Sequence, residues 1–131
     1  MTTDLSMLVW SCVLAIVLPN LYVTGLISSR GGLAWGLGNR EQPFTGEPAW
    51  SIRGRKAHAN LIENLVVFAA LVLVAHVTGR ANQWTALGSE LFFWARLAHA
   101  VTYLAGLVPW RTLAFAVGVV GETLIVIQLL F

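Results

Sequence analysis

Charge is what this chain has least of. Of its 131 residues, 11% are charged and 57% are hydrophobic, whereas a soluble domain carries about 25% charged residues. The charges are clustered, and the long uncharged runs between them exclude an ordinary soluble domain. Cysteine is almost missing as well. Cys12 stands alone, which rules out an intrachain disulfide and any paired-cysteine redox or metal motif. Lying in an apolar run, it reads as a small buried hydrophobe. The net charge of +2 forms no basic stripe, so no nucleic-acid partner is expected. His58, His76 and His99 lack metal-ligand spacing, and no metal is expected. The run GGLAWGLG is not a GxxxxGK[ST] phosphate loop. No serine–histidine nucleophile pair is evident, so any nucleophile is expected to come with the ligand. The amino-terminal MTTDLSML lacks the basic start of a secretory signal, and the apolar run after it is too long for a signal core. It is expected to be a retained span.

What the chain does have is room for four membrane spans of about 20 residues with short connections. They are expected at about 5–28, 51–77, 84–107 and 110–131. Together they predict an all-α integral membrane protein, a four-transmembrane-helix bundle forming one domain over 1–131. Pro19 is expected to kink the first span. Pro43 and Pro48 argue for a connecting loop from Arg30 to Trp50. Pro109 is expected to end the third span. Trp50, Trp84 and Trp110 fall at span ends, where interfacial aromatics gather. Arg30, Arg40, Arg53, Arg55, Lys56 and Arg111 share one side, and Arg80 is the only base in the opposite connection. The positive-inside rule then puts the first and third connections in the cytoplasm and both termini outside. Short loops and small size fit a bacterial inner membrane.

The polar residues inside these apolar runs are the informative ones. Lys56, Asn60 and Glu63 stand at relative positions 0, 4 and 7 in KAHANLIENLVVFAALVLVAH. On a helix, steps of four and seven residues turn by about 40° and −20°, so the three share a face. That stripe descends about 10 Å at 1.5 Å per residue. An ionisable group in such a helix costs about 2.5–3.5 kcal/mol on insertion scales, so it faces a partner, a cavity or a ligand. In the third span Arg96 and Tyr103 are seven apart, with His99 to one side, and Arg96 is expected to pair with Glu63 or Glu90. In the fourth, Phe115, Gly118 and Glu122 fall below Arg111 on one face. Gly118 reads as a close helix contact, and Glu122 as an interhelical hydrogen bond. These groups can converge on a cytoplasm-facing cleft suited to a small zwitterion with more negative than positive groups.

Lys56-Ala57-His58-Ala59-Asn60-Leu61-Ile62-Glu63, followed by its long apolar run, resembles the helix-two motif of the MAPEG family, the membrane-associated proteins of eicosanoid and glutathione metabolism. Arg96-Leu97-Ala98-His99-Ala100-Val101-Thr102-Tyr103 resembles helix three of the prostaglandin synthase branch. Pro109-Trp110-Arg111-Thr112 resembles the start of its helix four. The resemblance implies a homotrimer with glutathione bound between subunits near the cytoplasmic side. Carried over, Arg30 reaches a glutathione carboxylate. Lys56 and Asn60 contact its backbone, and Glu63 holds its ammonium or orients a cation. Arg96, His99 and Tyr103 line the same pocket. Arg111 sits near the sulfur and favours the thiolate, with Thr112 as an alternative hydroxyl donor; a nearby cation lowers a thiol's pKa. A lipophilic co-substrate is implied to enter from the bilayer. The family often has arginine at the place of Lys56, another base at Ala59 and tyrosine at Phe115. These departures point to general glutathione chemistry rather than a specific eicosanoid synthesis.

The expected function is thus a glutathione-dependent membrane transferase or peroxidase acting on lipophilic electrophiles or lipid hydroperoxides. A non-catalytic module of the same architecture and a small proton-coupled transporter using Glu63 are the alternatives. The absence of duplicated halves weighs against the transporter.

Overall fold

The computed structural model describes residues 1–131 and is entirely helical. Helix α1 spans Thr3–Ile27, with Thr2 as its N-cap. It continues through Pro19 as one helix. Helix α2, Gly32–Leu37, follows Gly31, whose φ of 82° suits a residue without Cβ. Helix α3 spans Ala49–Val77, α4 spans Gln83–Ala105 and α5 spans Val108–Leu130.

The ends follow local chemistry. Asn82 and Thr85 form a reciprocal capping box at the start of α4. Gly106, with φ of 77°, ends α4, where its own N–H and that of Leu107 return to the carbonyls of Tyr103 and Thr102. Pro109 therefore does not terminate α4. It lies in the first turn of α5, where its missing N–H is not needed. The expected loop from Arg30 to Trp50 also needs correction, because α2 occupies part of it. Cys12 is exposed on α1 rather than buried.

The four long helices pack in antiparallel order. Ser51 of α3 donates to the Tyr22 carbonyl of α1 at 2.6 Å. Arg53 Nε of α3 donates to the Leu104 carbonyl at the end of α4, at 2.9 Å. At the other end, Asn82 donates to Gln128 at 2.9 Å, and Arg80 donates to the Leu129 carbonyl at 2.7 Å. Helices α3 and α4 form the centre; α1 and α5 both pack on this pair without meeting each other. One core cluster joins Phe68, Val72, Phe92 and Ile125, with the Phe68 and Phe92 rings stacked at 3.9 Å. A second joins Leu18, Leu61 and Ala100.

Helices α4 and α5 approach most tightly at Gly88 and Gly121. A Cβ added to either would come within 2.6 Å of the other's carbonyl oxygen, so the crossing requires glycine on both sides. Three of the long helices, α1, α3 and α5, are long and apolar enough to cross a membrane. Helix α4 is less apolar because it carries Ser89, Arg96 and His99, all of which it buries. Outward-facing Trp10, Val66, Trp94, Val101 and Leu113 are all exposed. An apolar exterior around helices that bury Arg96, His99 and several hydroxyls beside their apolar clusters suits lipid.

Candidate functional site

The helix order brings the six clustered bases to one end of the bundle: the α1–α3 connection, the start of α3 and the start of α5. At that end lies a cleft of about 250 Å³ lined by Asn60, His99, Tyr103, Arg111, Thr112 and Phe115. Three helices build it. Asn60 comes from α3, and His99 and Tyr103 lie one turn apart on α4. Arg111, Thr112 and Phe115 come from the first turns of α5.

Arg111 is placed by the α4–α5 turn. Its Cζ lies 4.4 Å from the centroid of the Tyr103 ring, a distance at which a cation is attracted to the ring face. It makes no ion pair in the chain; Arg55 with Glu47 is the one salt bridge. Its donors thus stay available to an anionic ligand. His99 is buried, edge-on to Tyr103 at 5.4 Å and tilted against Phe115 at 6.4 Å. The Thr112 hydroxyl donates to the Val108 carbonyl at 3.2 Å, which leaves its oxygen as an acceptor for the cleft.

Arg96 sits behind this wall and is 1% exposed. It donates from Nη1 to Asn60 Oδ1 and from Nη2 to Asn64 Oδ1, both at 3.0 Å. Its Cζ lies 5.1 Å from the Phe92 ring and 5.0 Å from the Phe115 ring. The guanidinium fits because Gly118 has no side chain: a Cβ there would lie 3.1 Å from Nη2. The pairing of Arg96 with Glu63 or Glu90 expected from the sequence is therefore replaced by two amides. Both glutamates are exposed. The amide Asn60 is thus oriented from behind by a buried cation and faces the cleft from the front.

The remaining residues named from the sequence lie elsewhere on the chain. Arg30 is exposed in the turn after α1, and Lys56 and Glu63 are exposed on α3. None of the three lines the cleft within one chain. A second network went unread in the sequence. The Tyr22 hydroxyl lies 3.3 Å from His58 Nδ1, and Arg55 grips both Glu47 oxygens at 2.6 and 2.7 Å. It ties the connection before α3 to α1. The only signal for it was that Glu47 precedes Ser51 and Arg55 at helical spacing.

On the opposite side of the α4–α5 seam is an apolar groove of about 390 Å³ between Trp94, Ala98, Thr102, Trp110, Leu113 and Val117. No group of histidine, cysteine, aspartate or glutamate side chains is placed to hold a metal ion.

Comparison with known proteins matches residues 7–131 to the MAPEG family. The human microsomal glutathione S-transferase 1 is 32% identical over 87 residues, covering 66% of this chain and 56% of that protein. The Bos taurus protein of the same name is 39% identical over 67 residues, 50% of this chain and 43% of that protein. The chain thus spans about half the length of the curated relatives it matches. No solved structure matches. With the family match running over nearly the whole length of an all-helical, largely apolar chain, this protein belongs to the MAPEG family.

Proposed function

We propose that this protein is a glutathione-dependent membrane transferase or peroxidase that acts on lipophilic electrophiles or lipid hydroperoxides. The observation that carries this reading is the unpaired Arg111 guanidinium, held over Tyr103 at the mouth of a polar cleft. The names of the relatives, both glutathione S-transferases, support it independently.

The residues present fit glutathione. Arg111 supplies a fixed cation where a thiol would be most useful as thiolate, and such a charge lowers a thiol's pKa. Asn60 offers its amide nitrogen, since its oxygen accepts from Arg96. Thr112 would serve as the alternative hydroxyl donor to the sulfur only by turning its O–H away from the Val108 carbonyl. In conjugation the thiolate sulfur forms a bond to an electrophilic carbon, and the displaced group leaves with the electron pair. In the peroxidase variant the thiolate attacks the O–O bond. That step releases the alcohol, and a second glutathione thiol then closes the disulfide with loss of water.

A homotrimer completes the site in this reading. Arg30, Lys56 and Glu63 are exposed on the single chain, and the apolar outer faces of α1, α3 and α5 need covering by lipid or by neighbouring copies. At a cleft between subunits, Arg30 and Lys56 would take the carboxylates and Glu63 the ammonium. Helix α4 is the third of four spans, with Ser89, Arg96 and His99 turned inward, and 1–131 forms one domain. The basic end is cytoplasmic and both termini are outside, in a bacterial inner membrane.

The test is calorimetric titration of glutathione into detergent-purified protein, wild type against Glu63→Gln. Binding between micromolar and millimolar concentrations that the substitution weakens is expected. No binding at several millimolar would overturn the reading.

A further inference from the structure

Two buried polar atoms in the bundle have no hydrogen-bond partner: Arg96 Nε on α4 and Glu122 Oε1 on α5. One is an obligate donor, and the other is an acceptor when its carboxyl is ionised. Both lie on the α4–α5 seam, where Gly118 backs the guanidinium and Glu122 follows four residues on along the same face. They are not in direct ion-pair contact.

Buried polar groups are nearly always satisfied, by protein or by ordered water. An arginine cannot shed its proton, and a buried cation without a counter-charge is costly. Asn60 and Asn64 satisfy the terminal nitrogens of Arg96, yet both are neutral. No other acid competes for the role. Glu63 and Glu90 are exposed, and Asp4 is buried at the far end of the bundle beside Ser89.

We propose that Glu122 is the counter-ion of Arg96, joined to it by a buried water between Glu122 Oε1 and Arg96 Nε. Glu122 is thereby a positioning residue for the cleft. It fixes the guanidinium from below, the guanidinium fixes Asn60, and Asn60 presents its amide nitrogen to the ligand. Such a water makes two to four hydrogen bonds in a polar pocket, and this one receives the Nε–H and donates to the carboxylate. The extension to ligand binding rests on the glutathione reading above; the counter-ion itself does not.

Two measurements test it, with Glu122→Gln as the isosteric variant. The first is the infrared difference between wild type and Glu122→Gln, taken without glutathione. Loss of an ionised carboxylate band is expected. Loss of a protonated carboxyl band instead would overturn the counter-ion. The second is glutathione affinity across the Asn60→Ala, Glu122→Gln pair. Glu122→Gln alone is expected to weaken binding about fivefold, with Glu122→Asp restoring most of it, and the double variant to bind no more weakly than Asn60→Ala, because residues in one network do not add. A role in packing alone gives additive losses, and that result or an unchanged affinity would overturn the positioning. Wild-type protein that fails to bind glutathione would sink the proposed function, while the infrared result still judges the pair.

Discussion

Arg111 and Tyr103 face each other across the α4–α5 turn, with the guanidinium carbon 4.4 Å from the ring centroid. The contact holds a long, flexible side chain at the mouth of the cleft without consuming any of its donors. A cation fixed in this way needs little reorganisation when negative charge develops nearby.

Arg111→Ala is therefore expected to lower conjugation turnover by about a hundredfold, the scale of losing one preorganised electrostatic donor. Glutathione affinity is expected to change much less, because Asn60 remains in the cleft. Steady-state kinetics with a small lipophilic electrophile, beside calorimetry, separates the two. Equal losses in both would show that Arg111 binds the ground state and does not favour the thiolate.

The pH dependence follows with a defined sign. A neighbouring cation favours the ionised thiol and so depresses its pKa below the free value of about 8.5. Activity carried by the thiolate is present above that depressed value and is lost as pH falls through it. In Arg111→Ala the midpoint of kcat against pH is expected to rise by about one unit. Coincident profiles would remove Arg111 from the activation of sulfur.

Glycine substitutions should rank by what the new Cβ meets. At Gly121 it would meet backbone, 2.5 Å from the Gly88 carbonyl oxygen and 2.9 Å from the Phe92 nitrogen, and the helices would have to separate. At Gly118 it would meet the Arg96 guanidinium at 3.1–3.2 Å, which can shift by a few tenths of an ångström. Gly118→Ala is expected to cost about 1 kcal/mol and Gly121→Ala about 3 kcal/mol or more, the range for overpacking. Thermal unfolding in detergent gives the order, and its reversal would contradict the packing described.

Asn64 and Asn60 accept equivalent hydrogen bonds from Arg96, but only Asn60 lines the cleft. Asn64→Leu is expected to lower stability by about 1.5–3 kcal/mol, the worth of a hydrogen bond to a charged group, with glutathione affinity nearly unchanged. Asn60→Leu should lower both. Unfolding curves and titrations on the two variants decide this, and equal effects on binding would show that Asn64 reaches the ligand.

Much of the fold could be read from the chain. The span limits at 5–28, 51–77, 84–107 and 110–131 fall within two residues of α1, α3, α4 and α5. Apolar runs, caps and breakers act locally, which is why they could be placed. The misses were also local, where one signal outweighed another. Pro109 reads as a terminator but is tolerated in a first helical turn. The glycines at 31, 32, 36 and 38 hid α2. Residue type places Cys12 in the interior, but in a chain with an apolar exterior it does not say which face is buried, and Cys12 is exposed.

The site divides along the same line. Spacing along single helices put Lys56, Asn60 and Glu63 on one face, and Arg96, His99 and Tyr103 on another. That much depends only on 3.6 residues per turn. Which of those residues meet depends on how each helix is rotated and how closely it approaches its neighbours. Glycines at 88, 118 and 121 set the approach of α5 to α4. It leaves Asn60, His99, Tyr103, Arg111 and Thr112 around one cleft and Lys56 and Glu63 facing outward. It also gives Arg96 two asparagines in place of a glutamate and leaves Glu122 half-buried, with its Oε1 out of solvent and without a partner. The sequence alone determined the four long helices, their antiparallel order and the basic end, because these follow from runs of neighbouring residues. The tertiary structure alone decided the pairing of charges, because partners 32 to 36 residues apart meet only once the helix axes and rotations are set by packing.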